Sequence, residues 1–134
     1  MAEKQVLGGI ADKLAWVEKS RVRPSDYVGN HQSVGIVGPQ GMIADERFKF
    51  GVFLQTPETF YPAHRHAAEE LYFLLSGNAL WQKDDAPFRP VASGALVHHA
   101  SYQPHAMRTR NEPLLALWAS TGNLSSDTYS VVTG

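Results

Sequence analysis

Short strand-like segments separated by turn residues constrain the fold of this chain more than any other feature. Eight such segments follow residue 47. They are Phe48–Gln55, Thr59–His66, Glu70–Ser76, Ala79–Gln82, Gly94–His99, His105–Thr109, Leu114–Ser120 and Thr128–Val132. Many short strands at close intervals are typical of a β-sandwich or a β-barrel. We therefore expect an all-β fold.

The residues between these segments are those of turns and not of domain linkers. Ser76-Gly77-Asn78 is typical of a hairpin turn, and residues 83–87 and 110–113 are typical of loops. A chain of 134 residues is long enough for one hydrophobic core. We predict a single domain over residues 1–134, with a lead-in over residues 1–47 and a barrel over residues 48–134.

The lead-in differs in pattern from the barrel. Ile10, Leu14 and Val17 recur at helical spacing between charged residues, which predicts a short amphipathic helix that packs on a sheet. Residues 21–40 alternate Gly, Pro, Ser and Asn with short apolar pieces, and we predict loops with one edge strand there. His31 lies in this stretch and is predicted to be solvated.

Composition excludes several classes of function. The net charge of -1 gives no basic field for nucleic acid, and the lack of cysteine removes disulfides, thiolate catalysis and cysteine-bound zinc. No apolar stretch approaches membrane-spanning length and the first residues lack a signal-peptide pattern, so we predict no membrane partner and a cytoplasmic protein. Edge strands and the N-terminal helix are surfaces through which we expect that a homodimer can form.

The stretch from Tyr61 to Gly77 concentrates the chemistry of the chain. His64, His66 and Glu70 have the same parity on one strand and its bend, which brings them within reach of one divalent ion. His105 is the natural fourth ligand, because a neighbouring antiparallel strand can turn back beside the first at that point. Three imidazoles and one carboxylate leave open positions on Fe, Mn, Ni, Co or Zn, which indicates catalysis or ligand binding.

Other polar residues near these segments are assigned to the surface or the framework. His98 and His99 are adjacent, so they point to opposite faces of a strand and at most one can face the site. We assign both to structural or surface positions. Glu69 has the opposite parity from Glu70, and we expect it to face outward and to pair with a basic side chain.

Two motifs resemble those of the cupin superfamily. His64-x-His66-x3-Glu70-x6-Gly77 matches the first cupin motif, and Gly94-x10-His105 matches the spacing of the second. Ala100, Tyr102 and Thr109 depart from the second motif, which prefers proline, glycine and asparagine at these turn positions. The resemblance implies a double-stranded β-helix, or jelly-roll barrel, that binds one divalent transition metal ion.

A longer pattern, Tyr61-Pro-x-His64-x-His66-x-Ala68-Glu69-Glu70-x-Tyr72, is similar to the cupin-type dimethylsulfoniopropionate lyases. Pro104-His105-Ala-Met-Arg and the tail from Trp118 to Tyr129 also resemble that family. The resemblance implies that the metal ligands are His64, His66, Glu70 and His105. It also implies that Tyr72 is the catalytic base, and that Tyr61 and Tyr129 assist in substrate binding or catalysis.

The implied reaction is a β-elimination that yields dimethyl sulfide and acrylate. A metal bound to the substrate carboxylate stabilises the developing charge, and a nearby cation favours the phenolate that removes the α proton. Trp81, Trp118, Phe53 and Tyr129 offer aromatic faces to the sulfonium, each worth about 0.5–2 kcal/mol. Both tryptophans equally suit the barrel core. A buried Tyr72 also suits a packing role with its hydroxyl bonded to a neighbour, but we favour the base role because Tyr72 shares the face of Glu70 two residues away.

Two other functions fit the same ligand set. One is a metal-dependent dioxygenase, because three histidines and one glutamate also suit oxygen chemistry. The other is a small-molecule-binding cupin without catalysis. Dependence on oxygen separates the first alternative from an elimination, and turnover of substrate separates the second.

Overall fold

The structure, a computed structural model, describes residues 25–132 as eleven β-strands and one 3-10 helix. The strands are β1 (His31–Gly38), β2 (Ile43–Ala44), β3 (Phe48–Gln55), β4 (Phe60–Arg65), β5 (Glu69–Ser76), β6 (Asn78–Lys83), β7 (Arg89–Ala92), β8 (Leu96–His99), β9 (His105–Arg108), β10 (Leu114–Thr121) and β11 (Ser130–Val131). The 3-10 helix is Ser126–Thr128. The amphipathic helix predicted around residues 10–19 lies outside the described residues. All eight predicted segments contain strands, so the all-β prediction is confirmed.

The strands form two sheets. One has the order β2-β1-β3-β10-β5-β8 and the other has the order β11-β4-β9-β6-β7. Large apolar side chains of both sheets meet in one core, among them Phe53, Leu74, Trp81, Met107 and Leu114. Within residues 25–132, no helix is long and apolar enough to cross a membrane.

Three strands differ from the sequence prediction, and one of them, the two-residue β2, was not predicted at all. The strand within the loop-like stretch, β1, lies inside its sheet between β2 and β3 and not at the edge. A register shift between Gly35 and Val37 interrupts its pairing with β3, which explains its irregular pattern. Strand β7 was not predicted, because Pro90 argues against a strand unless it lies at an edge, where β7 is found.

The tight turn at Gly77 is present, but the predicted hairpin is wrong. Strands β5 and β6 lie in different sheets, so the chain changes sheet at this single residue. Gly77 has a φ of 88°, and a Cβ there would lie 2.0 Å from the carbonyl oxygen of Pro113. Only glycine meets both demands.

The expectation that one strand and its bend carry the ligand stretch is also wrong. Strands β4 and β5 belong to opposite sheets, and residues 66–68 carry the chain between them. The side chains at both ends of this crossing still point into the space between the sheets. In register, β9 places His105 opposite His64, and β8 places His99 opposite Glu70.

Candidate metal centre and cavity

The three predicted imidazole ligands share one tautomer. Each Nδ1 lies within hydrogen-bond distance of a backbone carbonyl two residues away: His64 with Pro62 at 2.8 Å, His66 with Ala68 at 3.0 Å, and His105 with Gln103 at 2.9 Å. A carbonyl oxygen only accepts, so each Nδ1 carries the proton and donates. Each neutral ring therefore keeps a lone pair on Nε2, the nitrogen available to a metal ion.

Two of these Nε2 atoms face a carboxylate oxygen. Glu70 Oε1 lies 3.4 Å from His66 Nε2 and 3.5 Å from His105 Nε2. The three ligand atoms lie within 4.8 Å of one another, and His105 Nε2 is buried without a hydrogen-bond partner among residues 25–132. When both rings are neutral, all three atoms are acceptors, so they repel unless a cation or a proton lies between them.

Burial disfavours the protonated forms of His64 and His105. Burial and the neighbouring His99 lower the pKa of His105 to about 3, and burial with His105 lowers the pKa of His64 well below its usual value. Burial raises the pKa of Glu70, but its contacts with His66 and His99 outweigh that effect and hold it well below normal. At neutral pH His64 and His105 are therefore neutral, and the carboxylate of Glu70 is ionised. This donor set fits a divalent transition metal ion.

His64 adjoins the tightest group without being part of it. Its ring is edge-to-face with that of His105 at 4.2 Å between centroids, and both rings lie in the paired strands β4 and β9. Its side chain lines the same cavity as His66 and Glu70. The structure therefore brings all four predicted ligands together, three of them at ligand spacing.

Tyr72 lies on β5, two residues after Glu70, and it lines the same cavity. Within the described range of 25–132, its hydroxyl has no hydrogen-bond partner, although the side chain is buried. Burial and the charge of Glu70 raise the pKa of Tyr72 well above the value of a free phenol. A buried tyrosine that only packs usually bonds its hydroxyl to a neighbour, and among the described residues this one does not.

Tyr61 and Tyr129 form a bonded pair at the same cavity. Their hydroxyl oxygens lie 2.9 Å apart. The Tyr61 ring stacks on His64 with centroids 3.8 Å apart and on His31 with centroids 4.2 Å apart. Burial and the Tyr129 hydroxyl raise the pKa of Tyr61. Tyr61 is therefore held on three sides, and both tyrosines line the cavity.

The cavity has a volume of about 140 Å³, which suits a small molecule and not a polymer. Part of its wall is aromatic: Phe53, Tyr61, Tyr72, Trp118 and Tyr129. Another part carries hydroxyl groups: Ser33, Ser120, Ser125, Ser126 and Thr128. Lys49 also lines the cavity, and its Nζ donates to the carbonyl oxygen of Leu124 at 2.7 Å.

The two tryptophans predicted to contact substrate lie in different places. Trp118 lines the cavity, and its indole lies over Gly51, where a Cβ would come within 2.6 Å of the ring. Trp81 is 3% exposed, belongs to the core and is not among the residues that line the described cavity. Its indole N–H donates to His99 Nε2 at 2.9 Å. For both tryptophans the sequence also allowed a position in the barrel core, and Trp81 has that position.

Two histidines have a different setting from the one that the sequence suggested. His31 is buried between Tyr61 and neighbouring aromatic rings, so the prediction that it is solvated is wrong. His98 is at the surface, where it pairs with the outward-facing Glu69 as expected. His99 is fully buried and lies 3.2 Å from Glu70. Strand alternation allowed either His98 or His99, but not both, to face the site. The register of β5 with β8 shows that it is His99, which lies opposite Glu70.

The chain matches known proteins over most of its length. Residues 3–116 match the family model of the dimethylsulfoniopropionate lyases. The dimethylsulfoniopropionate lyase DddQ of Ruegeria pomeroyi is 32% identical over 102 residues, which are 76% of this chain and 51% of that protein. The chain spans about half the length of the curated relatives that it matches.

Solved structures agree with this match. The crystal structure of the same lyase, DddQ from Ruegeria pomeroyi, superposes with a TM-score of 0.83 at 26% identity, over 98% of this chain and 67% of that chain. A cupin-like protein from Thermotoga maritima superposes with a TM-score of 0.68 at 17% identity, over 88% of this chain and 87% of that chain, which shows the fold alone. The chain therefore has the cupin fold and belongs to the dimethylsulfoniopropionate lyase family.

Proposed function

We propose that this chain is a metal-dependent lyase that cleaves dimethylsulfoniopropionate to dimethyl sulfide and acrylate. The proposal is supported by membership of the lyase family and by a cavity of small-molecule size. It also depends on the polar groups that converge on that cavity. A homodimer and a cytoplasmic location stay predictions from the sequence.

The metal would be held by Nε2 of His64, His66 and His105 and by the carboxylate of Glu70. Their shared tautomer, their burial and the unpartnered Nε2 of His105 support this assignment. When bound, a divalent ion supplies Lewis-acid stabilisation of the charge that develops at the substrate carboxylate, and it favours the phenolate of Tyr72. Fe, Mn, Ni, Co and Zn all suit this ligand set.

Tyr72 is the proposed base. Its phenolate oxygen accepts the proton from the carbon next to the substrate carboxylate, and the C–H electron pair forms the new double bond. The C–S bond breaks with its electron pair on sulfur, so that neutral dimethyl sulfide leaves and acrylate keeps the negative charge. Tyr72 lines the cavity and its hydroxyl has no hydrogen-bond partner among residues 25–132, which is the observation that carries this proposal.

Aromatic side chains are proposed to bind the sulfonium end. Trp118 and Tyr129 line the cavity, and a sulfonium over an aromatic face gains about 0.5–2 kcal/mol. Tyr61 is held by its stacking on His64 and by the Tyr129 hydroxyl, so it fixes one side of the substrate volume. Trp81 is left out of this set because its indole points to His99.

Anaerobic turnover tests the proposed reaction. The full chain is loaded with a divalent metal and incubated with dimethylsulfoniopropionate, and headspace dimethyl sulfide is measured against a His105→Ala control. We expect gas release without oxygen and little above background in the control. No gas above the control sinks the elimination, and consumption of oxygen with substrate would then favour the dioxygenase. Binding of substrate without any turnover would favour the non-catalytic cupin.

A further inference from the structure

Glu70 has a buried hydrogen-bond partner that is not among the predicted ligands. His99 Nδ1 lies 3.2 Å from Glu70 Oε1, and His99 is 0% exposed. The contact follows from the sheet, because β8 places His99 directly opposite Glu70 on β5. The pair is therefore fixed by backbone register and not by a chance approach of long side chains.

Trp81 determines the tautomer of His99. The indole N–H can only donate, and it donates to His99 Nε2 at 2.9 Å. His99 Nε2 must therefore be the acceptor, which places the ring proton on Nδ1 and directs it to Glu70. A continuous chain of donors runs from Trp81 through His99 to the carboxylate.

His99 also contacts a second proposed ligand. Its ring stacks on that of His105 with centroids 3.7 Å apart and planes at 10°. Both nitrogens of His99 already have partners, so it has no lone pair left for an ion. In this it differs from His105, whose Nε2 is buried without a hydrogen-bond partner among residues 25–132.

We infer that His99, held by Trp81, is a positioning residue that fixes Glu70 for metal binding. This inference rests on the proposed metal centre. A carboxylate oxygen has two lone pairs, so an N–H bond to Glu70 leaves room for an ion. Residues that orient metal ligands in this way typically contribute about 10- to 100-fold in metal affinity.

Two double variants isolate the hydrogen bond from packing. Trp81→Phe/His99→Asn keeps one N–H at the position of Nδ1, whereas Trp81→Phe/His99→Leu has a side chain of similar size without it. Both lack the imidazole stack, and neither leaves an unpaired indole N–H. Co²⁺ is titrated into the chelator-treated full chain, and the dissociation constant and the visible spectrum of bound Co²⁺ are recorded.

We expect the leucine variant to bind Co²⁺ about 10- to 100-fold more weakly than the asparagine variant, with a changed spectrum. The asparagine variant should retain most of the wild-type affinity. Equal affinities and equal spectra in the two variants overturn the inference, because packing alone would then explain the position of His99. Wild-type protein that binds no Co²⁺ overturns it as well.

A third variant covers failure of the leucine variant to fold. Trp81→Phe alone removes the indole N–H together with part of the ring volume, and it frees the tautomer of His99, so we expect weaker Co²⁺ binding or a shifted spectrum. Unchanged affinity and spectrum in this variant overturn the role of Trp81. Lyase turnover is not the readout, so failure of the proposed reaction and failure of this inference give different results.

Discussion

Strands β5 and β8 carry two Glu–His pairs at successive positions, one in water and one in the core. Glu69 and His98 lie 2.8 Å apart, and more than half of each side chain is exposed. Glu70 and His99 lie 3.2 Å apart, and His99 is fully buried. The residue types and strands are the same, but the two pairs lie on opposite faces of the sheet. Glu70 is directly opposite His99, whereas His98 is opposite Leu71 and reaches Glu69 diagonally.

The exposed pair has the shorter distance, but we expect it to contribute less to stability and to the candidate site than the buried pair. Water screens the exposed pair and competes for its hydrogen bonds, which leaves such pairs about 0.2–1 kcal/mol. The buried carboxylate cannot turn to water, so each of its contacts must come from the protein or from an ion. One step along a strand therefore separates a surface contact from a part of the candidate site.

We expect the largest effect, on lyase turnover, from a comparison of a buried tyrosine with an exposed one. Tyr72 is buried at the cavity, whereas the side chain of Tyr102 is 51% exposed. We expect Tyr72→Phe to lower lyase turnover about 10²- to 10⁴-fold, because general-base catalysis contributes that much. Metal content and unfolding midpoint should stay close to those of the wild type. Tyr102→Phe is the matched control, and an active Tyr72→Phe enzyme would end the base role.

The glutamates give the next largest effect. Glu70→Gln keeps the side-chain shape but removes the charge, and we expect a loss of about 3 kcal/mol or more in metal binding, which is roughly 150-fold in Kd. Glu69→Gln should leave metal binding unchanged. Calorimetric titration of both chelator-treated variants with one metal measures the difference. Equal losses would mean that burial does not distinguish the two carboxylates.

The two histidines can be compared through the free energy of unfolding of their alanine variants. His99→Ala removes a buried side chain and leaves the indole N–H of Trp81 without its partner. We expect the free energy of unfolding to fall by about 2–3 kcal/mol, against about 0.5 kcal/mol or less for His98→Ala. Urea unfolding in the presence of a chelator measures both. Similar values for the two variants would contradict the contrast.

The smallest expected effect is the change in the free energy of unfolding with each unit of pH, which arises because the proposed histidine ligands are buried. The pKa of His105 is lowered to about 3 in the folded chain, whereas an unfolded histidine titrates near 6.5. Between these values the unfolded state binds more protons, so stability falls as the pH drops, by up to about 1.4 kcal/mol per pH unit for each such histidine.

Unfolding of the metal-free chain by urea at several pH values between about 7 and 5 measures this slope. We expect the slope to be reduced, by up to one proton, in His105→Gln. A stability that stays constant over this range would show that His105 is not held neutral by burial.

Local pattern was enough to predict the strands and the groups that meet at the site. Phe48–Gln55 was predicted with the bounds that the structure has, and His105 lies opposite His64 as the turn before it suggested. Alternation of side chains reports which residues share a face. That information depends only on neighbours in sequence.

What was missed depends on distant partners. The changes of sheet after β4 and at Gly77 are set by packing of the two sheets, and no local pattern distinguishes them from a continuous strand or a hairpin. The positions of His99 and Trp81 follow from the pairing of β8 with β5 and of β6 with β9. His31 was misplaced because glycine and polar neighbours hide a strand whose burial comes from aromatic rings far along the chain.

The crossing from β4 to β5 has a mechanical consequence. His64 and His105 stand on one sheet and Glu70 on the other, so an ion held by all of them would cross-link the two layers. A bound ion at 1,000 times its Kd adds about 4 kcal/mol to stability. The chain has no cysteine and so no disulfide. The metal ion proposed to assist the chemistry would thus also be a cross-link that stabilises the packing of the two sheets.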